Sequence, residues 1–306
     1  MRERGCRGAA DSRLAASQSR GARISQGQRG LAAPANELRE TAATAPVREG
    51  GGARTKMSAE TTYQIGIATR DITPTTDEFA AGQLYLWGFG FGDRNTPVRR
   101  TRTATDRLRA TALCISASNG TVVLLALDVG ALSAEMTAQI RAALQANHGI
   151  PPEHVCVNVS HTHAAPTMVS LVTWPAGINT ANPGYRDRVI AAAIGSVADA
   201  LSARVSAQLY TGRGESFIGT TRHNGAAGYD PTLDVIVAKA GGRTVATVFS
   251  VACHPVLVQE NSVSADYPGV TRALVERDHG GVSMFLQGFA GQTFANIDFI
   301  FWVDIM

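Results

Sequence analysis

From Tyr63 onward, short apolar runs of strand length alternate with amphipathic stretches of helix length, and this alternation constrains the fold more than any other feature. Elements that alternate in this way bury their apolar sides as layers, helices against a sheet. Tyr63–Thr69 reads as a strand, and Arg70–Thr96 as a loop rich in Gly, Asp, Pro and aromatic residues (LYLWGFGFGD). Leu108–Ser116 and Thr121–Val129 read as a hairpin turned at Ser118-Asn119-Gly120. Met136, Ile140, Ala143 and Leu144 line one face of a helix with Ser133 as N-cap, stopped at Gly149 ahead of Pro151. His154–Ser160 follows as a strand. Asn182-Pro183 opens a second helix with Val189, Ile190, Ala193, Ile194, Val197 and Leu201 on its buried side. Strands are expected at Val205–Tyr210, Leu233–Lys239, Thr244–Cys253 and Val282–Gln287. Between the last two, Asp266–Asp278 reads as a helix with Asp266 as N-cap and a Gly280-Gly281 stop. The expected class is α/β, a layered mixed or parallel sheet with helices packed on it, and the alternation favours a substantially parallel sheet.

Residues 1–56 stand apart. They carry no aromatic residue and little apolar periodicity, so they cannot bury enough surface to offset chain entropy and read as a disordered Arg/Ala/Gly-rich segment. Eleven basic against five acidic residues give this segment +6, whereas residues 57–306 hold 17 basic and 20 acidic groups, or −3. The net charge of +3 therefore belongs to the first segment, and its dispersed arginines do not form a nucleic-acid patch. No apolar h-region marks a secretory signal. Translation starting at Met57 is the simplest expectation, with a cytoplasmic product as its default. No apolar run approaches the length of a membrane-spanning helix. Four scattered cysteines without a CxxC pair indicate neither a zinc ribbon nor a disulfide scaffold. The chain closes on an apolar stretch, FIFWVDIM, that has no turn or cap and reads as an interrupted domain.

Three of the seven histidines sit at predicted strand ends. Ser160-His161-Thr162-His163 follows the strand VCVNVS, and an extended backbone would point both imidazoles to one side. Such a pair suits a borderline-soft cation such as zinc, although two loop histidines at the surface would give the same spacing. Cys253-His254-Pro255 ends another strand, which is where α/β sheets build their sites. Cys253 would face away from His254 and reads as core. Arg222, in Thr221-Arg222-His223-Asn224, could bind a carbonyl or carboxylate oxygen or could be a solvated loop residue. Gly288-Phe289-Ala290-Gly291-Gln292 could offer backbone N–H groups, and it is not the G-x-S-x-G elbow of an α/β-hydrolase. Asp128 is a weaker candidate carboxylate, beside the site or in support of it.

Taken together, IGIATRDITP, DRLRATAL, LLALDVG, NVSHTHAAP, TRHNG, FSVACHPV, SADYPG and FLQGFAG, in that order, resemble the neutral/alkaline non-lysosomal ceramidases and their bacterial relatives from about Tyr63 to Ala290. The resemblance implies a zinc-dependent amidohydrolase that cleaves N-acylsphingosine to sphingosine and fatty acid. It implies His161 and His254 as zinc ligands, His163 at the reacting carbonyl and Arg222 in support of the oxyanion or substrate. It also implies a lipid or other N-acyl amide substrate, with contact at a membrane surface, and family members are often secreted. The sequence departs from the family in three places. Phe294 stands about where a catalytic serine would fall, the histidine motif continues AAPT, and the family's further Glu and Tyr zinc ligands and C-terminal immunoglobulin-like domain lie beyond position 306. The expectation is an incomplete ceramidase-like domain over 57–306, inactive or weakly active by itself. A related metallohydrolase of another substrate, or a non-catalytic remnant of the fold, are the rival readings.

Overall fold

A computed structural model describes residues 62–88, 99–170, 180–221 and 228–295. The reading of residues 1–56, Arg222 with its neighbours His223 and Asn224, and the closing stretch FIFWVDIM lie outside the described residues.

The strands in chain order are β1 (Tyr63–Asp71), β2 (Arg109–Ala117), β3 (Gly120–Leu127), β4 (Val155–Val159), β5 (Val205–Glu215), β6 (Gly219–Thr221), β7 (Thr232–Ala240), β8 (Arg243–Val251), β9 (Val282–Gln287) and β10 (Thr293–Ala295). The helices are α1 (Thr76–Ala81), α2 (Ala134–His148), α3 (Pro183–Ser202) and α4 (Asp266–His279). Eight strands form one mixed sheet in the order β4-β3-β2-β1-β5-β7-β8-β9, while β6 pairs with β10 alone. The layered α/β class is therefore as expected, but its parallel share is smaller than the alternation implied. Among the described strands only β3–β4 and β8–β9 run parallel, and these pairs form the two outer margins of the sheet. The reason is local: β2–β3 and β7–β8 are tight antiparallel hairpins, and β1 joins the sheet between β2 and β5, antiparallel to both.

The sheet folds over at β5. Its first residues pair with β1 over only three positions, Val205 to Ala207, and the remainder, from Gln208 to Glu215, pairs with β7. Alternation of side chains then makes two faces per strand. On β2, Ala110, Ala112 and Cys114 face α2 and α3, where they meet Met136, Ile140, Leu144, Tyr185, Val189, Ala193 and Val197. Leu113 points the other way, into a cluster with Ile65, Ala126, Ala207, Ala238, Ala246, Val248 and Met284 contributed by both halves of the sheet. Val251, Phe249 and Phe285 occupy the opposite face of β8 and β9 and pack with Tyr267 of α4.

Local chemistry sets the helix ends. Ser133 accepts the Met136 N–H, and Gly149 closes α2 in the left-handed conformation. Asn182 accepts the Tyr185 N–H ahead of Pro183, at the start of α3. α1 falls inside the stretch read as loop. Its signature is nonetheless present, because Thr75 and Glu78 form a reciprocal capping box. The expected N-cap role of Asp266 is not observed. Asp266 is the first residue of α4, at φ 60, and its carboxylate accepts the N–H groups of Leu257, Val258 and Tyr267. Burial pushes that carboxyl above its ordinary range, against the pull of those amides.

α4 is fastened to the β2–β3 side by charge. Arg272 and Asp128 form a two-pronged ion pair at 2.9 and 2.6 Å, with both side chains at most 3% exposed. Asp128 also accepts the Arg109 N–H, so it is a structural anchor and not a site carboxylate. Removing one partner of such a pair strands the other charge away from water, at about 3–5 kcal/mol. Arg272→Met is expected to lower unfolding free energy by about that amount in a denaturant titration, and R272M/D128L should recover a large part of the loss.

Candidate metal centre

The two parallel pairs, at opposite margins of the sheet, bring four strand ends to one place. β4 ends at Val159 and leads to His161; β3 ends at Leu127 and leads to Gly130. β8 ends at Val251 and leads to His254; β9 ends at Gln287 and leads to Ala290. The ring centroids of His161, His163 and His254 lie 5.1 to 5.7 Å apart. One ligand atom from each falls within 4.8 Å of the others, so the three lie close enough to hold a metal ion.

The route to this convergence differs from the extended strand expected from alternation. The chain turns at His161, which has φ 65, a left-handed conformation that costs a non-glycine residue about 1–3 kcal/mol. Neighbouring hydrogen bonds hold it there. The His161 N–H donates to Val129 O at 3.1 Å, Ser160 N–H to Leu127 O at 2.9 Å, and Thr162 Oγ1 to Ser264 O at 2.9 Å. The next link joins the two histidine segments directly, as the His163 N–H donates to Pro255 O at 3.1 Å. From the far side, the buried Arg99 guanidinium donates to the carbonyls of His163 and Glu260, both at 2.6 Å.

Each outer histidine is oriented by a backbone carbonyl. His161 Nδ1 lies 2.6 Å from Gly130 O, and His254 Nδ1 lies 2.6 Å from Ala290 O and 3.2 Å from Thr293 O. A carbonyl oxygen can only accept, so Nδ1 carries the proton in both rings and Nε2 keeps its lone pair. This carbonyl-to-imidazole arrangement is the usual support behind a metal-binding histidine. Nitrogens at about 2.0–2.1 Å from a tetrahedral zinc ion stand about 3.4 Å apart, so the three rings would close by up to about 1.4 Å to share one.

Glycines make room for the rings. A Cβ on Gly88 (φ +68) would lie 2.1 Å from His163 Nδ1, and one on Gly130 would lie 2.0 Å from the Trp87 ring. Trp87 in turn stands edge-on to His161 at 6.2 Å. Phe294, at the position where the resemblance places a serine, packs against the His254 ring at 5.5 Å. Cys253 is core, as expected: fully buried, with its thiol pushed up to about 12 by desolvation. The loop after β9 supplies carbonyls to His254, where N–H donors were expected. Arg222 is not described, although Thr221, the residue before it, pairs with Thr293, whose carbonyl takes the His254 N–H.

Ala290 lies in the Gly288–Gln292 stretch singled out in the sequence, though it acts through its carbonyl, whereas Gly88 and Gly130 have no role in that reading. The aromatic-glycine stretch around Gly88 carries a usable signal, since a glycine among large rings marks close approach.

Burial lowers the affinity of His161 for a proton, and the neighbouring His254 lowers it further. A depressed folded-state affinity means that the unfolded chain binds the proton more tightly. The stability contributed by neutral His161 is thus complete above about pH 6.5 and is lost as the pH falls below it, toward the lower folded-state value. The melting temperature of metal-free protein should fall between pH 7.5 and 5.5, and fall less in His161→Gln. A second expectation concerns space: Gly88→Ala should displace the His163 ring, read as a shift of its imidazole NMR signals, while far-UV circular dichroism remains that of the wild type.

No protein-family model matches the sequence, and no curated protein sequence matches it. Two solved structures share the fold. One is described as a ceramidase complexed with C2, at TM-score 0.66 and 20% identity over 78% of this chain. The other is the neutral ceramidase from Pseudomonas aeruginosa, at TM-score 0.65 and 20% identity over 77% of this chain. The chain spans about two-fifths of the length of each, 39% and 40%.

Proposed function

We propose that this chain forms the histidine-bearing part of a zinc-dependent amidohydrolase that cleaves the amide of N-acylsphingosine into sphingosine and a fatty acid. One observation carries the reading. Three imidazoles converge within metal-binding distance at the strand ends of a fold shared with ceramidases. Neither the convergence nor the fold would support it alone.

In this reading His161 and His254 hold the ion through Nε2, and their Nδ1–H groups stay fixed on Gly130 and Ala290. Zinc, when bound, supplies Lewis acidity that polarises an amide carbonyl and makes water a better nucleophile at neutral pH. The protein's share is orientation, charge and protons. His163 stands 5.2 and 5.7 Å, ring to ring, from the two holding residues, and it acts at the reacting carbonyl. There it donates a hydrogen bond to the oxygen on which negative charge develops as water adds to the carbonyl carbon. Arg222 supports the same charge. The attacking water gives up a proton, and the second ring nitrogen of His163 carries it to the amine as the C–N bond breaks. Trp87, nearly buried beside His161, limits water around the rings.

The substrate is a lipid amide, so contact with a membrane surface follows from the chemistry. No described helix is long and apolar enough to cross a membrane.

Metal analysis of the protein and its single-histidine variants separates the roles. His161→Ala and His254→Ala should each lose stoichiometric zinc. His163→Ala should keep it while amide hydrolysis falls by about 10²–10⁴-fold. Unchanged zinc in both of the first two variants would refute the ligand assignment. Substrate class is read in parallel: hydrolysis of ceramide well above that of short N-acyl amines supports the lipid reading, and the reverse order points to a related metallohydrolase.

A further inference from the structure

We infer that Gln287 is the positioning residue that sets the spacing of His161 and His254; the inference rests on the metal reading of the site. Its side-chain amide nitrogen donates to Ser160 O at 3.0 Å and to Cys253 O at 2.8 Å. These are the carbonyls of the peptides that lead into His161 and His254. One nitrogen thus ties together the two chain segments, 93 positions apart, that carry the outer histidines. The orientation of the amide follows from its partners, since both are carbonyl oxygens and only the NH2 end can face them.

The rest of the side chain shows what this arrangement costs. Gln287 Oε1 is buried and has no hydrogen-bond partner among the described residues. An unsatisfied buried acceptor is destabilising, so an apolar residue of the same size would remove that penalty. What such a residue could not do is hold two carbonyls at once. Gln287 is itself fixed from across the sheet margin. Its backbone N–H donates to Asn158 Oδ1 at 2.9 Å, and Asn158 Nδ2 donates to Gln287 O at 3.2 Å. Asn158 lies on β4, three residues before His161. The bidentate amide replaces the ladder bonds that β4 and β9 do not make with one another, and it sets the register in which the Gln287 side chain meets both carbonyls.

A residue that supports metal ligands through their backbone changes affinity for the ion more than it changes the fold. The test is zinc affinity of the purified, metal-stripped protein, by competition with a chromophoric chelator at pH 7.5, together with melting of the same metal-free samples. Gln287→Met removes both donors at similar volume, and Gln287→Leu is the second variant. Val248→Ala, in the cluster between the two halves of the sheet, is the control that loosens the fold away from the site. We expect Q287M and Q287L to bind zinc about 10–100-fold more weakly than wild type while V248A binds it as wild type does. Wild-type affinity in the Gln287 variants, equal weakening in V248A, or failure of both Gln287 variants to fold would overturn the inference and leave Gln287 a purely structural residue. If the wild-type protein itself binds no zinc, the metal reading fails, and the positioning role falls with it.

Discussion

The approach of β4 to β9 is the constraint on which the rest of the structure depends. These strands are the two ends of an eight-stranded sheet, and in a flat sheet they would lie as far apart as the fold allows. Here the sheet turns over at β5, and the amides of Asn158 and Gln287 fasten its two margins. The interior between the halves is filled by small and medium side chains, Ala126, Ala207, Ala238 and Ala246 beside Leu113 and Met284, which allow the layers to come close. Only because the margins meet do the carboxyl ends of both parallel pairs open onto one point. A histidine after β4 and a histidine after β8 would otherwise be unrelated loop residues.

Around that point the protein fixes the two outer rings through its own backbone. The carbonyls of Gly130 and Ala290 choose the tautomer, the strained turn at His161 is held by its neighbours' hydrogen bonds, and the Asp128–Arg272 pair anchors the segment that presents Gly130. A left-handed histidine persists only where its surroundings over-determine it, and such positions gather at functional sites. The site is thus a product of backbone groups as much as of the three imidazoles, which is why it lies at strand ends and not on a helix face.

Much of this was legible in the sequence, and the rest was not for identifiable reasons. α2 and α3 could be read because each has a side-chain cap at its start, and the β2–β3 hairpin because Ser118-Asn119-Gly120 interrupts two apolar runs. The start of α4 was misassigned because an aspartate before a helix usually caps it, whereas Asp266 serves the amides of Leu257 and Val258. α1 was missed although its capping box was present, since six residues show no periodicity. Strand order is not written in local pattern, so the parallel share of the sheet was overestimated. His161, His163 and His254 were found because histidine is scarce and strand ends are where sites form; their convergence was foreseen, but the turn that produces it was not. Asn158 and Gln287 escaped because two amides 129 positions apart carry no local signature.

The central claim is that His161 and His254 hold one ion through Nε2. Anomalous-difference density at the zinc absorption edge, from crystals of the protein loaded with zinc, tests it most directly. The account predicts a single strong peak among the three rings, at about 2.0–2.1 Å from Nε2 of both His161 and His254. Density only at surface sites, or a peak bound through Nδ1 with the Gly130 and Ala290 contacts broken, would contradict it.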